Sequence, residues 1–164
     1  MAYVLESMLR IRAMREDRAS EELVAARHAQ EQAAANLSEC KVRLQQWSDS
    51  KEERRNRVFD AIIGVPVKRT DIDLAKEAVA RIDEEGVLLN DGVVRAKAEL
   101  EEREKLSESA HRRYVVATRN HEKIVQHKSI WAEEERKIQE YAADAELEEF
   151  AGRRMFDDES DDFD

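Results

Sequence analysis

The sequence predicts an all-α protein: two long helices folded into an antiparallel coiled-coil hairpin, the second longer than the first, followed by a disordered acidic tail. Three observations carry this expectation. Residues 72–145 hold a nearly unbroken heptad seam, and a single helix-breaking stretch, Gly64-Val65-Pro66, divides the 164 residues. The composition, 40% charged and 5% aromatic with four Gly and one Pro, suits an elongated helical chain and not a globular enzyme.

The first helix is expected over about residues 3–63. Its seam runs Leu5, Leu9, Arg12, Glu16, Ala19, Leu23, Ala26, Gln30, Ala33, Leu37, Cys40, Leu44, Trp47, Lys51, Arg54, Val58 and Ala61, with 12 of 17 positions apolar. The seam is weakest at Arg12 and Glu16, where Met8, Ile11 and Met14 suggest that the apolar face drifts. Alanine dominates from Ala25 to Ala35, which favours helix and permits close approach of a partner backbone. Cys40, the single cysteine, excludes an internal disulfide and reads as a small buried hydrophobe.

Residues 64–70 form the turn. Pro66 lacks an amide hydrogen and restricts Val65, and Gly64 is placed to end the first helix. Thr70 or Asp71 then accepts the free amides of a second helix over about residues 71–150. A connection this short makes the helices antiparallel. Folding about residues 66–68 sets residue i near residue 134 − i, so Trp47 approaches Leu88 and Leu89, and Leu5 approaches Ser129.

Along the second helix, alternate steps of 3 and 4 from Ile72 pass Ala75, Val79, Ile82, Gly86, Leu89, Val93, Ala96, Leu100, Arg103, Ser107 and Ala110. They continue through Tyr114, Ala117, His121, Ile124, Lys128, Trp131, Glu135, Ile138, Ala142 and Ala145. Sixteen of these 22 positions are apolar, where the overall 41% predicts about 9. Asn90-Asp91-Gly92 is a turn signal and admits a break after Glu85, but the heptad phase crosses it without a slip. Beyond about Trp131 the second helix outruns the first. Its seam residues there, with Tyr141, Leu147 and Phe150, have no internal partner.

The net charge of −10 is unevenly spread: residues 1–63 hold 11 basic and 11 acidic side chains, 64–148 hold 15 and 20, and 149–164 hold 2 and 7. An acidic chain without a dense basic face argues against nucleic acid as the main partner. Residues 151–164 are expected as a solvated tail, or as an acidic segment whose Phe156 and Phe163 dock on a basic surface. No segment reads as a signal peptide or a membrane span, so a cytosolic protein is expected.

No catalytic motif is present, and no cofactor is expected. His111, His121 and His127 are separated by 10 and 6 residues, which puts them on different helix faces and does not build a metal site. Arg12, Arg15 and Arg18 follow one face at spacings of three, either as a solvated face or as a contact for an acidic partner. Near the turn, Phe59, Ile62, Ile63, Val65 and Val67 either close on themselves with Ile72 and Leu74 or form a partner-binding tip.

The opening Leu5-Glu6-Ser7-Met8-Leu9-Arg10-Ile11-Arg12, followed by Arg15-Glu16-Asp17-Arg18-Ala19 and Leu23, is similar to the start of the YscO/FliJ family of type III secretion proteins. An Ala-rich first arm, one break near residue 65 and a longer second helix extend the likeness over the whole chain. The resemblance implies a cytoplasmic, monomeric coiled coil, peripheral to the inner-membrane secretion apparatus. Such a protein looks like the central stalk of a rotary ATP synthase and sits in the pore of the hexameric secretion ATPase. It further implies contact with the cytosolic ring of the export gate and with secretion chaperones. By that analogy residues 1 to about 20 and about 118–150 enter the ATPase; the residues themselves, not the analogy, offer Arg12, Arg15, Arg18, Trp131, Ile138 and Tyr141 as the expected contacts. The tip at Phe59, Ile62, Ile63, Val65 and Val67 would face the gate or chaperones. The competing readings are a coiled-coil escort for export clients that never touches an ATPase, and a structural coiled coil dimerising through residues 131–150.

Overall fold

The computed structural model describes residues 3–158, with side chains through residue 149. Its two helices, α1 (Glu6–Asp60) and α2 (Arg69–Asp158), form a helical hairpin with the second helix longer, and no strand occurs among the described residues. The chain divides into two compact units. A turn unit spans Ser20–Arg113, and a terminal unit combines Met1–Ala19 with Tyr114–Asp164.

The turn unit begins where α1 can no longer continue. Past Asp60 the amides of Ile62 and Ile63 both bond the Phe59 carbonyl, and Gly64 takes a φ of 78°, a left-handed conformation that suits a residue without Cβ. Pro66 lies in the connection. On the far side α2 begins at Arg69, ahead of both expected caps, Thr70 and Asp71: Asp71 lies inside its first turn, and its carboxylate reaches back to accept the Lys68 amide at 2.8 Å, the side-chain half of a capping box. Both ends fall within one turn of the expected boundaries.

From here the two helices of the turn unit run antiparallel on the expected seams. Its buried residues, Leu23, Ala33, Leu37, Ala75, Ile82, Ala96, Ser107 and Ala110, are all seam positions. Ala110, at 1% exposure, is the most enclosed of them. Charged flanks hold the register: Lys51 meets Asp83 at 3.0 Å, on the 134 − i relation, and Arg54 meets Glu85 at 2.6 Å. Trp47 departs from its expected neighbours. Instead of Leu88 and Leu89 it covers Gly86 and donates its indole N–H to the Ile82 carbonyl at 3.0 Å, because Gly86 leaves room for a flat ring against backbone. The helix passes through Asn90-Asp91-Gly92 unbroken. A mid-helix glycine costs about 1 kcal/mol relative to alanine, less than giving up the pairing on either side of it.

In the terminal unit the same seam continues with polar members. Tyr3 is buried against Trp131, with ring centroids 5.3 Å apart, and its hydroxyl is 2.8 Å from His127 Nδ1. Glu6 pairs with Lys128 at 2.7 Å; this contact and Tyr3–Trp131 again satisfy 134 − i. Beyond Trp131 every described side chain except the half-buried Glu135 is exposed through residue 149. The helix continues to Asp158, so the expected tail starts with further helical turns, and residues 159–164 lie outside the described residues. The side chains of Phe150 and Phe156, and the whole of Phe163, lie outside them as well.

Candidate functional site

Among the described residues no group of three His, Cys, Asp or Glu side chains is placed to hold a metal ion, and no helix is long and apolar enough to cross a membrane. The exposed apolar faces therefore form the candidate functional surfaces, one set in each unit.

In the terminal unit the sequence reading of α1 needs correction. Arg12 does not share an outward face with Arg15 and Arg18. It sits half-buried in the seam, where its guanidinium donates to the Asn120 carbonyl at 3.0 Å. One turn on, Glu16 meets His121 Nδ1 at 2.5 Å, and this bond holds the Glu16 carboxyl below its ordinary pKa. The apolar face does not drift. Two polar side chains occupy the seam because each finds a partner on α2, and Met8, Ile11 and Met14 are left outside with Val4. Arg15 and Arg18 lie on that same outer side. The result is an apolar stripe bordered by arginine, with Met14 65% exposed. The continuous step through Leu5, Leu9, Arg12, Glu16, Ala19 and Leu23 was the signal that placed it.

On α2 of this unit, Trp131 is not free for a partner, because it forms the last paired layer with Tyr3. The residues past it are open: Ile138 and Leu147 are exposed, and Tyr141 is 75% exposed. In the terminal unit Arg15, Arg18, Ile138 and Tyr141 are thus exposed, as are Met8, Ile11 and Met14, while Arg12 and Trp131 are half-buried in its own packing.

In the turn unit Phe59, Ile63, Val65 and Val67 are exposed and Ile62 is half-buried. Ile72 and Leu74 are exposed too, so the tip does not close on itself. A cluster of this size at a tight turn lacks interior positions to receive it, which leaves it as a candidate contact surface.

A helical hairpin with an open apolar tip and a helix that outruns its partner defines a class, the two-helix all-α proteins. Residues 5–153 match the family described as Type III secretion protein YscO. The chain belongs to the YscO family of type III secretion proteins. Its fold is similar to the crystal structure of the type III secretion protein YscO from Vibrio parahaemolyticus, with a TM-score of 0.76 and 23% sequence identity, covering 89% of this chain and 92% of that one. No curated protein matches the sequence.

Proposed function

We propose that this protein is a non-enzymatic, stalk-like component of the type III secretion apparatus. It acts in the cytoplasm, peripheral to the inner membrane, as a monomer within the pore of the hexameric secretion ATPase. Its terminal unit enters the ring and promotes assembly and ATP hydrolysis. Its tip, at Phe59, Ile62, Ile63, Val65 and Val67, engages the cytosolic ring of the export gate or secretion chaperones. The observation that carries the reading is the terminal unit's outer surface, where an arginine-bordered apolar stripe accompanies a helix whose seam has run out of partner.

The mechanism follows from symmetry. An asymmetric helix pair inside six equivalent subunits touches them unequally. Any difference in its affinity for their nucleotide states shifts the populations of those states. Arg15 and Arg18 suit carboxylates on pore loops, and Met8, Ile11 and Met14 supply contact that salt does not screen.

The test is the ATP hydrolysis rate of the cognate secretion ATPase at submaximal concentration, with this protein titrated in and sedimentation run in parallel. Stimulation with a shift toward hexamer is expected. The double variant Arg15→Glu, Arg18→Glu should require several-fold more protein for half-maximal stimulation. Stimulation unchanged in that variant removes the arginines from the contact. Absence of both binding and stimulation favours the escort reading, in which the open tip carries export clients.

A further inference from the structure

The seam of α2 outlasts α1. From Ala75 through Glu135 its seam positions are buried or half-buried, and the seam positions past it, Ile138, Ala142 and Ala145, point to where α1 would have continued; all three are exposed. The outer side of the chain in the same unit carries its own exposed row, Met8 and Ile11 on α1 with Val4 in the turn just before it. Both rows step by 4 and then 3.

We infer that a second copy of this chain covers these faces, the overhang of each copy lying along the outer face of the other's α1. The chain directions permit it. In each terminal unit α2 runs outward past the start of α1. A second copy, turned by a two-fold axis so that its α1 begins beyond the first copy's α1, therefore runs parallel to the first copy's overhang. Each α1 start is then held between its own α2 and the partner's. Both contacts are identical, so the pair is closed and isologous.

Matched in parallel, Ile138 meets Val4, Ala142 meets Met8 and Ala145 meets Ile11, a heptad pairing. The charges agree. Residues 133–149 hold eight acidic and two basic side chains, which disfavours pairing of two overhangs with each other. The α1 face carries the exposed Arg15 and Arg18 against that acidic overhang. The pair uses the residues proposed to enter the ATPase, so the two associations exclude each other. The paired form is a resting state of the free protein.

The experiment uses the full chain. Sedimentation equilibrium across a wide concentration range should show the mass rising from 19.0 kDa toward twice that value, with the association weakened by added salt. Ile11→Asp, an exposed change that spares the fold, should abolish it. With Cys40→Ser as background, a mixture of Met8→Cys and Ala142→Cys proteins should form a disulfide-linked pair under mild oxidation, while each protein alone should not. A monomer at all concentrations overturns the inference. So does linkage of Ala142→Cys to itself at equal yield, which would show overhangs pairing with each other. An association indifferent to Ile11→Asp overturns it as well.

Discussion

Gly86 and Gly92 lie within two turns of one another on α2, yet their surroundings give opposite predictions. A Cβ built on Gly86 falls inside the Trp47 indole, which is pinned by its bond to the Ile82 carbonyl, whereas nothing lies within 4 Å at Gly92. Gly86→Ala should therefore cost about 1–3 kcal/mol through overpacking, despite a helix-propensity gain of about 1 kcal/mol. Trp47 fluorescence should shift to the red as the ring is displaced. Gly92→Ala should stabilise by about 0.5–1 kcal/mol in the same denaturant titration. Equal effects at the two sites would mean that Trp47 is not seated on Gly86. A third residue carries a pH dependence. The bond from His121 lowers the Glu16 pKa from its ordinary 4.5, so the folded state binds that proton less readily than the unfolded chain does. Its contribution is complete above the ordinary value and fades as the pH falls through the lowered one. Wild type should exceed Glu16→Gln in thermal stability near neutral pH, and the gap should close below about pH 4.5. A gap that widens on acidification would contradict the assignment.

At the scale of the helices, the two units differ in what fills the seam. In the turn unit it is mostly alanine, leucine and isoleucine; in the terminal unit Arg12, Glu16, His121 and Lys128 interrupt it. Less apolar area is removed from water there, so α1 should open from its start before the turn unit yields. Native-state hydrogen exchange should show amides of residues 6–19 exchanging well before those of residues 23–47, and uniform protection along α1 would refute this. The helices themselves were legible in the sequence because a long heptad repeat fixes helix, face and pairing at once. From Ala75 to Glu135 every seam position is buried or half-buried. The register then followed from the turn, as Lys51–Asp83, Glu6–Lys128 and Tyr3–Trp131 show, while Trp47 and Arg54 settled on neighbours a turn or so away. What the pattern could not show was how a polar seam residue is accommodated. Arg12 and Glu16 looked like a loss of phase because their partners, Asn120 and His121, lie over 100 residues away in sequence. The outer stripe of Met8, Ile11 and Met14 was hidden by the same error. Trp131, expected as a partner contact, is covered instead by Tyr3, a buried residue that precedes the heptad row of α1.

For the whole molecule, the family assignment sets the apparatus and the exposed faces suggest the division of labour. The open tip and the arginine-bordered stripe both join apolar side chains to positive charge, Lys68 and Arg69 at the tip and Arg15 and Arg18 on the stripe. Contacts made through these charges should weaken as salt rises. The most direct measurement is hydrogen exchange along the full chain, alone and mixed with the cognate secretion ATPase under hydrolysing conditions. The stalk reading predicts slowed exchange confined to residues 4–18 and 136–149, with residues 59–74 unchanged until gate or chaperone is added. Protection at residues 59–74 on adding the ATPase alone, or none anywhere, would contradict it.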